Sequence, residues 1–254
     1  MKLTGNTALV SGGASGLGAA TARKFAAEGA KVVVLDYNLD AAKAVADEIG
    51  GFAVQADVGS ADAVEAAVNA ATDWLGGPAR VAVNCAGIGL AARIVGRENR
   101  LSIDMFERTI RVNLMGTYNV MSFATRAMMD LEPEEDGQRG VVINTASVAY
   151  QDGQIGQSAY SASKGAIAAM CLPAAREFAR SGIRVMAIAP GLFETPMMEG
   201  LPEETTAAIT ANIPFPHRLG MPAEYAQLAT HIVENAYLNG STIRLDAAVR
   251  LPQR

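Results

Sequence analysis

Short apolar runs alternate with longer Ala-rich stretches along the whole chain. The runs are Thr7-Ala8-Leu9-Val10, Lys31-Val32-Val33-Val34-Leu35-Asp36, Phe52 to Asp57, Arg80-Val81-Ala82-Val83-Asn84, Val141 to Thr145, Ile183 to Ile188 and Ser241 to Leu245. Most are apolar at successive positions, which predicts strands buried on both faces. Between them, residues 17–29, 40–49, 61–75, 104–130, 158–180 and 222–234 read as helices. Strands separated by helices predict an α/β protein, a doubly wound parallel sheet of about seven strands with helices on both faces. No linker, repeat or low-complexity segment divides the chain, so one domain is expected over residues 1–254.

Two stretches break the rhythm. Arg93-Ile94-Val95-Gly96-Arg97-Glu98-Asn99-Arg100 is a polar loop after the fourth run. Ligands of doubly wound sheets bind beyond such strand ends, so it competes between rim and plain surface. The second stretch, Asp130 to Gln138, carries Asp130, Glu132, Glu134, Glu135 and Asp136 and reads as a solvated loop.

Composition narrows the classes. Half of the 254 residues are hydrophobic, enough for a large core, and abundant Ala and Gly predict helices packed close to the sheet. No apolar run approaches the roughly 20 residues that span a bilayer. The net charge of −5 argues against a general nucleic-acid binder. Cys85 and Cys171 make no disulfide framework, and the start Met1-Lys2-Leu3-Thr4-Gly5 has neither signal-peptide nor transit-peptide layout. A reducing, cytoplasmic compartment is expected. His217 and His231 are isolated, and no metal site is expected.

Candidate chemistry begins at Ser11-Gly12-Gly13-Ala14-Ser15-Gly16-Leu17-Gly18, after the first run and at the opening of the first helix. Glycines there permit a tight turn and let a pyrophosphate approach the backbone, while the helix N-terminus offers unpaired N–H groups. Asp36 ends the second run, eighteen residues past Gly18. A carboxylate there accepts bonds from an adenosine ribose and repels a 2′-phosphate, and Tyr37-Asn38-Leu39 brings no cation to offset that. NAD is therefore expected over NADP, on a Rossmann-like sheet. Ala56-Asp57-Val58 ends the third run; Asp57 is either a contact for the adenine amino group or a helix N-cap beside Ser60 and Asp62. Asn84-Cys85-Ala86-Gly87 ends the fourth, where small residues let a cofactor cross the sheet edge. Cys85 reads as a structural thiol.

Tyr160 and Lys164 are four apart in Ser158-Ala159-Tyr160-Ser161-Ala162-Ser163-Lys164, hence on one face of a helix. An ammonium beside a phenol stabilises the phenolate and lowers its pKa. Ser147, thirteen residues upstream of Tyr160 at the end of an apolar run, can bring a hydroxyl beside them. Alone, Tyr-x-x-x-Lys is short and its residues common, and it reads first as a small-residue helix packed on a sheet with a solvated lysine.

Together these marks resemble the short-chain dehydrogenase/reductase family, over nearly all the chain: the Ser11 to Gly18 loop, Asn84-Cys85-Ala86-Gly87, Asn113, Ser147, Tyr160-x-x-x-Lys164 and Pro190-Gly191. Two departures are mild. Ser11 stands where the family usually has Thr, and Cys85 where it usually has a second Asn. Arg111 to Thr117, Gly137 to Ser147, Ala189 to Phe193 and Ile243 to Asp246 are similar to the subgroup of type-2 3-hydroxyacyl-CoA dehydrogenases, which includes enzymes acting on hydroxysteroids.

The resemblance implies an enzyme that interconverts a secondary alcohol and a ketone with NAD, the substrate being a short or branched (S)-3-hydroxyacyl-CoA. A hydroxysteroid dehydrogenase and a non-catalytic NAD-binding regulator are the alternatives. It implies Tyr160 as general acid/base, Lys164 as the group that lowers its pKa and holds the nicotinamide ribose, Ser147 on the substrate oxygen, and Asn113 as anchor of a proton-relay water. Without it, Asn113 reads as a polar residue bonding locally in a helix. Backbone at Phe193 and the Thr195 hydroxyl would hold the carboxamide. A lid over residues 192–216 would follow, with Met197, Met198, Leu201, Ile209 and Phe215 either lining an acyl pocket or packing as ordinary core. Arg93, Arg97 and Arg100 are candidates for CoA phosphates, with solvated arginines as the default reading. A homotetramer is implied, with interfaces on the helices near 104–130 and 158–180 and the C-terminal segment.

Overall fold

The computed structural model describes residues 1–196 and 210–253. Seven strands, β1 (Thr7–Ser11), β2 (Lys31–Asp36), β3 (Phe52–Gln55), β4 (Val81–Asn84), β5 (Gly140–Thr145), β6 (Ile183–Pro190) and β7 (Thr242–Leu245), form one sheet in the order β3-β2-β1-β4-β5-β6-β7. Every pairing is parallel. The chain winds outward from β1 to β3, then starts again at β4 and winds the other way. That reversal leaves a crevice above the C-terminal ends of β1 and β4, where doubly wound sheets bind ligands.

Apolar residues at successive positions divide between the two faces, because side chains alternate along a strand. Ala8, Val10, Val32, Val34, Val81 and Val83 face one layer, which holds α1 (Gly16–Ala27), α2 (Leu39–Ile49) and α7 (Pro222–Glu234). Leu9, Val33, Leu35, Ala82 and Val142 face the other, covered by α3 (Ala61–Leu75), α5 (Gly116–Met128) and α6 (Ser158–Phe178). Side-chain caps start the helices where turn residues predict: Asn38 accepts from the Ala41 N–H and Ser60 from the Ala63 N–H.

The predicted helix over 104–130 differs in kind. It is α4 (Ile103–Thr109), a π-helical segment Ile110–Met115, and then α5. A π turn inserts an extra residue into the ladder without interrupting the helix, so apolar spacing carries little trace of it. Asn113 sits inside that segment. A Cβ on Gly116 would lie 2.5 Å from Val58 Cγ2, so the absence of a side chain lets α5 approach the β3 loop.

The two irregular stretches resolve differently. In 93–100, Val95 bridges antiparallel to Leu101, and Arg93, Arg97 and Arg100 are exposed. The acidic stretch is pinned rather than merely solvated. The Arg80 guanidinium donates to the Glu132 and Arg139 carbonyls and pairs with the Glu134 carboxylate at 3.2 Å. Of the expected lid, Met197, Met198, Leu201 and Ile209 lie outside the described residues. Phe215 is 78% exposed, edge-on to His217 and away from the large cavity. Among the described residues no helix is long and apolar enough to cross a membrane.

Candidate active site

A cavity of about 690 Å³ opens above the C-terminal ends of the strands. Its floor begins with the turn between β1 and α1, where Gly12, Ser15, Gly16, Leu17 and Gly18 line it. Gly12 has φ +65°, and a Cβ there would lie 2.5 Å from the Ala86 nitrogen; one on Gly18 would lie 2.1 Å from the Gly12 carbonyl oxygen. Side chains would therefore fill the cradle and push the helix off the turn. Ser15 is the N-cap of α1 yet makes no capping bond with its hydroxyl, and no acidic residue occupies the first turn. The N-terminal N–H groups thus face the cavity with a favourable dipole for an anion. These residues fit a dinucleotide's pyrophosphate.

Asp36 and Tyr37 line the same end. Each Asp36 oxygen accepts one backbone N–H, Oδ2 from Ala14 at 3.1 Å and Oδ1 from Asn38 at 3.0 Å. Those bonds aim the carboxylate and leave each oxygen further acceptor capacity. Asp57 is not the cap of α3, which is Ser60. Its Oδ1 accepts from the Gly59 N–H at 2.9 Å and its Oδ2 pairs with Arg111 at 3.1 Å. Ala56, Asp57 and Val58 all line the cavity, and so does Arg111, which sequence reasoning did not single out as a site residue.

Two expected cofactor contacts sit behind the floor. Ser11 and Asn84 are buried outside the lining. The Ser11 hydroxyl donates to Asn84 Oδ1 at 3.2 Å, and Asn84 Nδ2 donates to Asn144 Oδ1 at 2.8 Å. Together they brace the ends of β1, β4 and β5. Cys85, Ala86 and Gly87 do line the cavity.

Ser147, Tyr160 and Lys164 line it together. Ser147 caps the short 3₁₀ turn Val148–Tyr150 and accepts the Ala149 N–H at 3.2 Å. Tyr160 and Lys164 rise from the first two turns of α6. Burial pushes the Tyr160 phenol up, and a hydrogen bond with Ser147 opposes that. The expected lowering by Lys164 is not the controlling influence. The ammonium lies 5.8 Å from the tyrosine ring centroid and donates to the Thr145 carbonyl at 2.8 Å. Burial in turn lowers the Lys164 pKa to about 8.

Asn113 is fully buried behind them and does not line the cavity. Its amide clasps the Ile88 backbone, accepting from N–H at 2.8 Å and donating to C=O at 3.0 Å, and also donates to Ser163 Oγ at 3.1 Å. A Cβ on Gly87 would come within 3.2 Å of Asn113 Oδ1 and 3.6 Å of Lys164 Nζ, so the β4 turn, the π segment and α6 meet there.

Pro190, Gly191, Phe193 and Thr195 close the far wall. The bridge between Phe193 and Gly220 uses the Glu194 N–H and the Leu192 carbonyl, which leaves the Phe193 amide outside it. Leu192, the first residue of the expected lid, joins the lining, and residues unanticipated from sequence complete it, notably Leu90, Gln154, Gln157 and Leu251. The two glutamines had a signal, being amides in a Gly-containing loop between Ser147 and Tyr160. Leu251 had none.

The family described as short chain dehydrogenase matches residues 6–206. The chain is 48% identical to the 3-hydroxyacyl-CoA dehydrogenase type-2 of Bos taurus over 252 residues, covering 97% of this chain and 96% of that one. The Homo sapiens protein of the same name is 48% identical over 251 residues, with the same coverage. The crystal structure of 3-hydroxyacyl-CoA dehydrogenase type-2 from Mycobacterium avium superposes with a TM-score of 0.93 at 44% identity, covering 98% of each chain. A parallel sheet with its glycine turn at the switch point, and a serine, tyrosine and lysine meeting above it, agree with that family match: the chain belongs to the short-chain dehydrogenases, oxidoreductases that work with a nicotinamide cofactor.

Proposed function

We propose that the protein is an NAD-dependent dehydrogenase that interconverts (S)-3-hydroxyacyl-CoA and 3-oxoacyl-CoA of short or branched chain, a step of fatty-acid metabolism. What carries this reading is 48% identity along 97% of the chain to relatives named for that activity. Asp36 supports NAD over NADP, because its carboxylate faces the cavity with no lysine or arginine in the three residues that follow.

When bound, the nicotinamide accepts or supplies the hydride. The chain's own residues handle the proton and the oxygen. Tyr160 takes the proton from the alcohol oxygen in oxidation and returns it in reduction. The Ser147 hydroxyl donates to the reacting oxygen and steadies charge that develops there. Burial raises the phenol's hold on its proton, so release calls for nearby positive charge, and Lys164 is the cation at hand. The Asn113 side chain is committed to Ile88 and Ser163. Its main-chain carbonyl accepts from Thr117 Oγ1 at 2.7 Å, and in this reading it also anchors a water that passes protons outward.

A CoA tail is supported by Arg93, which lines a side cavity of about 470 Å³ with Ile94 and Ile155; Gln154 belongs to both cavities. A homotetramer is supported by the exposed apolar side chains Phe106, Met115, Tyr118 and Leu172 along α4, the π segment, α5 and α6. Two free thiols, Cys85 and Cys171, support a reducing, cytoplasmic setting.

The test is turnover of acetoacetyl-CoA with NADH, expected to be robust. Failure there beside brisk turnover of a hydroxysteroid or sugar alcohol would move the substrate and keep the chemistry. NAD binding without turnover of any alcohol would favour a regulator.

A further inference from the structure

The Lys164 ammonium takes hold of the protein through a backbone atom, the Thr145 carbonyl. Thr145 is the last residue of β5, and the sheet grips it on one side only. Toward β6 it is in register with Ile188, whereas β4 ends at Asn84, opposite Asn144. Side chains take over where that ladder stops. Cys85, the next residue after β4, meets the Thr145 hydroxyl at 3.6 Å. From the opposite face of the sheet to α6, Tyr225 on α7 brings its hydroxyl to 2.7 Å from Thr145 Oγ1 and 3.7 Å from Cys85 Sγ.

Each of the three groups has one hydrogen to give and room to accept. They close in a single sense: Thr145 donates to Cys85, Cys85 to Tyr225 and Tyr225 to Thr145. A closed ring of neutral donors strengthens each member and leaves none stranded. Tyr225 is the largest fully buried side chain, so its oxygen is fixed by the packing of its ring among Phe25, Val141, Ile188 and their neighbours. The ring thus transfers the rigidity of the core below the sheet to the carbonyl that Lys164 grips.

We propose that Tyr225, Thr145 and Cys85 are positioning residues for Lys164: their hydrogen-bonded ring holds the Thr145 carbonyl, and through it the ammonium, at the distance from Tyr160 that proton transfer needs. The inference rests on Lys164 assisting Tyr160, as read above. It does not depend on which alcohol is the substrate.

Thr145→Val keeps the shape and removes the hydroxyl; Tyr225→Phe removes the opposite corner; Thr145→Ser restores the bond. Alcohol oxidation by each is followed from pH 6 to 10, with melting temperature and NAD binding measured alongside. Loss of one buried bond of this kind predicts a fall in kcat of about three- to tenfold for Thr145→Val and Tyr225→Phe. A less well held ammonium supports the phenolate less, so their pH midpoints move upward by about half a unit or more. Thr145→Ser returns the midpoint toward the wild type. NAD affinity changes less than kcat.

Midpoints that coincide with the wild type, with only the melting temperature lowered, would overturn the proposal and leave the ring a packing feature. If Thr145→Val does not fold, Tyr225→Phe decides by the same readout. Wild-type failure on acetoacetyl-CoA speaks against the substrate reading alone. The ring is then read by the titration of ¹³C-labelled Lys164, and an unchanged titration in Tyr225→Phe overturns it.

Discussion

Two buried cations sit at opposite ends of the sheet, and each is 5% exposed. Arg184 lies at the start of β6, Lys164 beside the end of β5. Neither has a carboxylate partner among the described residues. Arg184 is nearly saturated: it donates to Gln138 Oε1 and to the Ile232, Val233 and Leu238 carbonyls, at 2.8 to 3.1 Å. Two of those carbonyls belong to the last turn of α7, where a cation is favoured by the helix dipole. Lys164 has three N–H donors and one acceptor among the described residues, Thr145. Burial lowers both, Arg184 to about 10 and Lys164 to about 8. The difference separates a charge used to join elements from one whose remaining donors stay free for the proposed chemistry: the first has spent its donors and the second has not.

Exchanging each cation for methionine should split activity from stability. Lys164→Met is expected to cut turnover by roughly a hundredfold or more, as loss of a group that assists proton transfer does. Steady-state kinetics would show it, and retention of more than a tenth of the rate would place Lys164 with Arg184 as structural. Arg184→Met should do the reverse, costing about 2–4 kcal/mol in urea unfolding because buried carbonyls lose their donor, with kcat per folded molecule kept within about twofold. A large kcat loss in folded Arg184→Met would erase the contrast.

The pH dependence sharpens it further. The Lys164 pKa in the fold, about 8, lies below its ordinary 10.5, so between those values the unfolded chain holds a proton that the folded one has shed. Stability from this group is therefore complete above the unfolded value and is lost as pH falls through the folded one. Wild type should gain on Lys164→Met by up to about 3 kcal/mol between pH 8 and 10.5, an amount that follows from the size of the lowering. A flat difference in paired denaturation curves would mean that the ammonium is not strained by burial. The smallest effect is at the cofactor's far end. Asp36→Ala should narrow the preference for NAD over NADP by about tenfold, near 1.4 kcal/mol, and an unchanged ratio of kcat/KM values would acquit Asp36 as selector.

How much was legible follows the range of the interaction. Val32 to Leu35 and Val81 to Val83 declare buried strands by themselves, and Gly12, Gly16 and Gly18 declare a turn because one strand and one helix define its context. Tyr160 and Lys164 share a helix face by spacing alone. Other readings turned on partners far along the chain. Asp57 meets Arg111, fifty-four residues away, which no local pattern announces. Ser11 and Asn84 bond to each other behind the floor because β1 and β4 are neighbours. The π segment around Asn113 hides within an unbroken helical pattern. Phe215, apolar in sequence, stays exposed.

The sequence by itself determined the alternation of strands and helices, the glycine turn, the acidic residue that ends β2 and the serine, tyrosine and lysine proposed for the reaction. Each of these is encoded by residue type and short spacing, where backbone sterics and side-chain periodicity act directly. Tertiary structure alone decided the cation environments, the Cys85, Thr145 and Tyr225 ring, and the part of Leu251 in the cavity wall. Burial and hydrogen-bond partners depend on which distant segments the sheet order brings together, and so does the fate of a charge placed among them.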